Sequence, residues 1–181
     1  MNRMNMMNKL LFMVIMTMSG IAFGQCADIY QHQFKTLQGD TLNLCEYQNK
    51  PILVVNTASK CGFTPQFEAL ESLYKQQQSN MLIVGFPSND FNQELKSDKE
   101  IGDFCKKTYQ VNFPMVSRTS VVGPNANPLY KKLTQATHQA PMWNFYKYLI
   151  LPEGKKIYAF SSDIAPDSPE LMDKLKPYLK K

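Results

Sequence analysis

A chain of 181 residues, 44% hydrophobic and 19% charged, is long enough to bury a core and too apolar to be wholly disordered. Its net charge of +5 comes from scattered lysines, with one dense basic run, KLKPYLKK, at the C-terminus. Without interleaved arginines and aromatics this run reads as a solvated helix face, which argues against nucleic acid as a partner.

Arg3 and Lys9 followed by the apolar stretch Leu10 to Phe23 form a basic n-region and an h-region too short to span a bilayer comfortably. Ala22-Phe23-Gly24 fits a small-x-small cleavage site. Residues 1–24 therefore read as a signal peptide, and residues 25–181 as a single mature domain with no stable membrane insertion. An uncleaved anchor and a lipoprotein attached at Cys26 are the alternatives; Gln25 is a poor residue to precede a lipidated cysteine. The expected location is exported, periplasmic or secreted, where disulfides persist.

Residues 28–50 alternate around Gly39-Asp40, which predicts a β-hairpin. Pro51 then introduces Ile52 to Asn56, a continuous apolar run of the kind found in strands buried on both faces. The run ends in a small polar loop holding Cys61. Thr64 as N-cap and Pro65 at the first helical position predict a helix to about Gln77, with Phe67, Leu70, Leu73 and Tyr74 on one face and a Glu71–Lys75 pair on another. A cysteine at a strand-to-helix junction faces the positive end of the helix dipole, which favours thiolate, the nucleophilic form. Met81 to Phe86 predicts a second buried strand and residues 87–97 a loop. Ser97 to Glu100 is a capping box opening a helix with Ile101, Phe104, Cys105 and Thr108 on its apolar side. Val111 to Val122 reads as extended, Pro128 opens a helix to about Ala136, and a hairpin around Pro152-Glu153-Gly154 precedes a last helix opened by Ser168-Pro169. This order predicts an α/β, thioredoxin-like fold: a mixed central sheet flanked by helices, with an N-terminal β-hairpin.

The four cysteines, Cys26, Cys45, Cys61 and Cys105, form no C-x-x-C pair, so neither a zinc site nor a thioredoxin-type dithiol is expected. The two histidines, His32 and His138, lie in polar, Gln-rich surroundings and are expected on the surface, which argues against a Cys-His protease. No metal or cofactor is expected.

Three stretches in order, NTASKCGFTPQFEALESLY at 56–74, GFPSNDFNQE at 85–94 and WNFYKYLI at 143–150, resemble the motifs of the glutathione peroxidase family. The resemblance runs from about Ile29 to Leu179. It implies that Cys61 is the peroxidatic residue, selenocysteine in some members, and that Gln93, Trp143 and Asn144 complete the catalytic set. Peroxide reduction needs a thiolate together with hydrogen-bond donors near the leaving oxygen, and neutral amide and indole N–H groups supply these without a histidine. The resemblance further implies that Cys105, in FCKKTYQVNFP, resolves the Cys61 sulfenic acid as a disulfide, which a thioredoxin-like protein reduces. Cys105 starts on a helix, so low stability is expected over residues 95–110.

The family's FPCNQF reads FPSNDF here, which removes one alternative thiol at Ser88 and places a carboxylate, Asp90, near the expected site. The usual Pro-Gly after the Gln-Glu pair is Leu95-Lys96, and an Arg common in the C-terminal strand is Ala159. The short stretch between Leu133 and Trp143 resembles monomeric members and leaves no obvious basic cleft for glutathione. Cys26 and Cys45 are left over; the two remaining apart is favoured, because Cys26 is expected in a mobile N-terminus. The leading reading is thus a thiol peroxidase acting on hydrogen peroxide and on organic or lipid hydroperoxides. A glutathione-dependent peroxidase, a thiol–disulfide oxidoreductase and a non-catalytic redox chaperone are the alternatives.

Overall fold

The computed structural model describes residues 26–179; the predicted signal peptide lies outside them. A four-stranded sheet in the order β4-β3-β5-β6 forms the centre. Strand β3 (Ile52–Thr57) pairs in parallel with β4 (Leu82–Pro87) and antiparallel with β5 (Lys147–Ile150), which pairs antiparallel with β6 (Ile157–Phe160). Every residue of β3, β4 and β5 is buried, as continuous apolar runs require of strands covered on both faces. The parallel β3–β4 pair is joined by helix α1 (Gln66–Gln77). Helices α2 (Asp98–Tyr109), α3 (Pro128–Thr137) and α4 (Pro169–Leu175) complete the layers.

Alternate residues of the sheet feed two cores. Leu53, Val55, Ile83 and Leu149 point to one side, with Phe67 and Leu70 of α1, Ile101 of α2 and Leu171 of α4. Ile52, Val54, Val84 and Tyr148 point to the other, with Leu129, Tyr130 and Leu133 of α3. Both motif-bearing cysteines, Cys61 and Cys105, belong to the first core.

Three local expectations change. The N-terminal hairpin is present, but its strands are short, β1 (Gln33–Lys35) and β2 (Thr41–Asn43), because Asp28–Tyr30 and Leu44–Tyr47 wind into single 3₁₀ turns. Residues 111–122 form no strand. They contribute isolated bridges, Met115 to Gly85 and Val116 to Thr36, which tie the hairpin to the edge of β4. Gly85 makes this possible, since a Cβ there would collide with the Met115 side chain. Glu71 is not a surface partner of Lys75 alone. It is buried and accepts hydrogen bonds from the Asn112 backbone N–H (2.8 Å) and side-chain amide (2.7 Å), joining α1 to the segment after α2.

Cys26 and Cys45 form a disulfide, against the expectation that they remain apart. The reason is local. Tyr30 is fully buried and donates to the Leu151 carbonyl (2.9 Å), so the N-terminal segment is anchored. The Asn43 side chain caps the Cys45 turn and presents it to Cys26. His138 is exposed and ends α3 in a left-handed conformation, whereas His32 is half-buried.

Candidate active site

The site is assembled at the C-terminal end of β3, where three loops meet, as ligands do in open α/β sheets. The first is the Cys61 loop, which is heavily tied. The Cys61 backbone N–H donates to Thr64 Oγ1 (3.1 Å), and the Thr64 hydroxyl lies 2.9 Å from the Ala58 carbonyl and 2.7 Å from that of Cys61. Thr64 therefore does not cap α1 as the sequence predicts. Its hydroxyl folds back onto the cysteine loop, and α1 starts two residues later at Gln66. Cys61 consequently lies a turn ahead of the helix, not at its first residue. The group facing its sulfur is the Phe63 backbone N–H, 3.4 Å away. Cys61 is 6% exposed, at the surface edge of the core.

The second loop follows β4. Asn92 takes a left-handed conformation (φ 59°), and Gln93 follows. The Gln93 carbonyl accepts from the Lys60 N–H (2.9 Å), next to Cys61, and the Glu94 carboxylate accepts from the Ser59 N–H (3.0 Å) and the Leu95 N–H (2.8 Å). Glu94 is buried, and burial outweighs these bonds in raising its pKa above the ordinary carboxylate value. Asp90 points elsewhere: Ser120 Oγ, Val121 N–H and Val122 N–H all donate to its carboxylate, so its charge is consumed in fixing the 120–122 turn.

The third loop precedes β5 and holds Trp143 and Asn144. The Asn144 Nδ2 amide donates to Gln93 Oε1 at 2.9 Å, and Asn144 is fully buried. Occupying Oε1 leaves the Gln93 Nε2 group, which has two N–H bonds, as the free end of that side chain. Trp143 is 41% exposed and stacks obliquely on Phe91, with ring centroids 5.4 Å apart. Asn56, buried near the end of β3, binds this loop three ways: its Nδ2 donates to the Trp143 carbonyl (3.0 Å), its carbonyl accepts from Phe145 N–H (2.6 Å), and its own N–H donates to the Tyr146 carbonyl (3.3 Å).

Of the five residues singled out in the sequence, Gln93 and Asn144 thus touch directly. Cys61 and Trp143 are held to them through Lys60 and through Asn56 and Phe91. Cys105 shares the core of Cys61. It is 3% exposed on α2 and lines a cavity of about 600 Å³ between α2 and the β1–β2 hairpin, whose walls include none of the other four. Burial, reinforced by the nearby Glu94 charge, pushes its thiol up to about 12, so in this conformation Cys105 is a neutral thiol. Among the described residues, no three His, Cys, Asp or Glu side chains converge as metal ligands would.

Sequence reasoning missed Asn56, Glu94 and Lys147. Lys147 is a charged residue inside the apolar run NFYKYLI, and Asn56 ends the run ILVVN. A polar side chain at a position whose neighbours demand burial on both faces was the available signal.

The glutathione peroxidase family profile matches residues 29–134. A glutathione peroxidase-like peroxiredoxin of Schizosaccharomyces pombe is 42% identical over 139 residues, covering 74% of this chain and 88% of the relative. A hydroperoxy fatty acid reductase of Synechocystis is 38% identical over 151 residues, covering 77% and 89%. Among solved structures, the apo form of Trgpx superposes with a TM-score of 0.66 at 31% identity, covering 87% of this chain and 98% of that one. The family extent of the match and the meeting of its three motifs at one end of β3 lead to one conclusion: the chain is a peroxidase of the glutathione peroxidase family.

Proposed function

We propose that Cys61 is the peroxidatic nucleophile and that Gln93 and Trp143 are its donors, with Asn144 acting through Gln93. The Cys61 thiolate attacks one peroxide oxygen, the O–O bond breaks, and the other oxygen leaves with a proton as water or an alcohol. Cys61 becomes a sulfenic acid. The observation that carries this reading is the Asn144–Gln93 bond, which occupies Gln93 Oε1 and leaves its N–H groups as the donating end, on a residue whose carbonyl is bonded to Lys60, the neighbour of Cys61. Met142, 81% exposed, adjoins the partly exposed Trp143, and this apolar rim supports organic hydroperoxides as substrates alongside hydrogen peroxide.

Cys105 then attacks the sulfenic sulfur, forming a Cys61–Cys105 disulfide and releasing water, and a thioredoxin-like dithiol protein returns both thiols. Of the twelve residues of α2 only Ile101 and Cys105 are fully buried, with Phe104 and Tyr109 partly buried against the core, and its Lys99–Asp103–Lys107 ion pairs are exposed, so the helix is held less tightly than the fully buried strands. That supports Cys105 as a resolver that must first leave its pocket. The short α3-to-Trp143 connection supports a monomer. The Cys26–Cys45 disulfide supports an oxidising, exported location, and it leaves Cys26 no free sulfur for a lipid. Intact mass after alkylation, with and without reductant, tests the bridge.

Stopped-flow peroxide consumption with a thioredoxin system decides the assignment. Cys61→Ser is expected to be inactive, and full activity would overturn the mechanism. Cys105→Ser is expected to consume one equivalent of peroxide and then stall; continued thioredoxin-driven turnover would remove Cys105 from the cycle.

A further inference from the structure

Lys147 has no exposed surface, yet it sits at the start of β5 between Val55 of β3 and Phe160 of β6. Its Nζ donates to the Phe145 carbonyl at 2.6 Å and more weakly to the Ser162 carbonyl at 3.4 Å. It makes no ion pair among the described residues. Asp163 is the one charged group that acts on it, and the facing groups from α1, β3 and β6 are neutral: Gln66, Val55 and Phe160. A buried lysine without a carboxylate partner is a cost to the fold that an apolar side chain of similar length avoids. Its benefit must lie in what Nζ holds.

What it holds is the turn that aims Asn144. Phe145 has a left-handed φ of 62°, a conformation bulky residues rarely adopt, and it immediately follows Asn144. The Phe145 N–H is fixed by the Asn56 carbonyl and its carbonyl by Lys147 Nζ, so both sides of this strained residue are pinned. The Ser162 carbonyl also accepts from the Gln66 side-chain amide at 2.7 Å. Gln66 is the first residue of α1, the helix that follows Cys61. One lysine Nζ thus spans the two halves of the site.

We propose that Lys147 is a positioning residue for peroxide reduction: it pins the Phe145 carbonyl so that Asn144 stays turned onto Gln93, and it couples that turn through Ser162 to the start of α1. This rests on the peroxidatic reading of Cys61.

The test measures oxidation of reduced Cys61 by hydrogen peroxide in a single turnover, followed by the fluorescence of Trp143, the only tryptophan, alongside the denaturant midpoint. Lys147→Met and Lys147→Leu remove the donor and keep the burial; Lys147→Gln keeps an N–H donor. Both apolar variants are expected to fold with an unchanged or higher midpoint and to lose at least about tenfold in second-order rate constant, roughly the effect of 1.4 kcal/mol. Lys147→Gln is expected to recover most of that loss. Apolar variants within about twofold of wild type, or a Gln variant no better than they are, would overturn the proposal. So would failure of the variants to fold, because Nζ would then serve the fold and not the site. Cys61→Ser, run in parallel, separates the two readings. If it still reacts, the site assignment fails; if it is inactive while Lys147→Met reacts normally, only the role of Lys147 fails.

Discussion

The two cysteines proposed to share one catalytic cycle sit in regions built in opposite ways. Around Cys61, the loop from Ala58 to Cys61 is tied through its backbone to Thr64, Gln93 and Glu94, and Thr64 spends its hydroxyl on the loop instead of on its own helix. Around Cys105, the twelve residues of α2 are held by a capping box, by buried Ile101 and Cys105, by Phe104 and Tyr109 against the core and by the Arg118 N–H on Asp98, beside a cavity of about 600 Å³. A nucleophile that must meet peroxide with its donors in place has to be held before the reaction. Burial pushes the Cys105 thiol up to about 12, which disfavours the thiolate, so the proposed resolving step calls for release of Cys105 from this position. On the proposed cycle the tied loop would serve the attack on peroxide and α2 the resolving step, and the two regions differ in their hydrogen bonds more than in secondary-structure type.

The largest test of the held region is linkage to pH. Burial lowers the Lys147 pKa from 10.5 to about 7, with Asp163 opposing. Between those values the unfolded chain binds the extra proton, so the stability of the wild type rises with pH, by about 1.4 kcal/mol for each pH step of one across that window. Below pH 7 the burial penalty is constant and complete. The stability advantage of Lys147→Met over wild type should therefore narrow from pH 7 to 10 in denaturant titrations; a constant gap would mean that Lys147 stays charged in the fold. Next in size is Thr64→Val, which leaves the Cys61 N–H unsatisfied at a cost of about 1–3 kcal/mol. It should lower the peroxide rate constant of Cys61 more than it changes the Cys105 step. The smallest effect falls on the loose region. Ser97→Ala removes the cap of α2, worth about 1 kcal/mol. It should lower hydrogen-exchange protection over 97–109 and speed Cys61–Cys105 disulfide formation by roughly fivefold. Equal protection of α2 and β3 in the wild type would erase the contrast.

How much of this is legible in the residues differs from motif to motif. The buried runs 52–57 and 82–87, the Ser97–Glu100 box and the Pro152–Gly154 hairpin match their sequence signals, because each is decided by its own neighbours. Thr64-Pro65 misleads for a physical reason: a threonine hydroxyl can satisfy either its helix or the loop before it, and only the fold of residues 58–61 decides which. The segment 111–122 looks extended in the sequence, but it forms no strand and its pairing is reduced to two bridges, since what it meets is the edge at Gly85 and the hairpin at Thr36. Asp90 looks like a charge at the site, and the donors that bind and stabilise its charge come from a turn about thirty residues away.

What the amino-acid sequence by itself determined was the family, through its three motifs, and the order of the elements, because apolar runs, caps and motifs are local and additive. What only the tertiary structure decided was their orientation. The Asn144 amide meets the Gln93 oxygen, Lys147 closes the turn at Phe145, Cys26 reaches Cys45, and Cys105 is buried as a thiol. Each of these is a contact or a burial created when distant segments exclude water together, and no spacing along the chain encodes it.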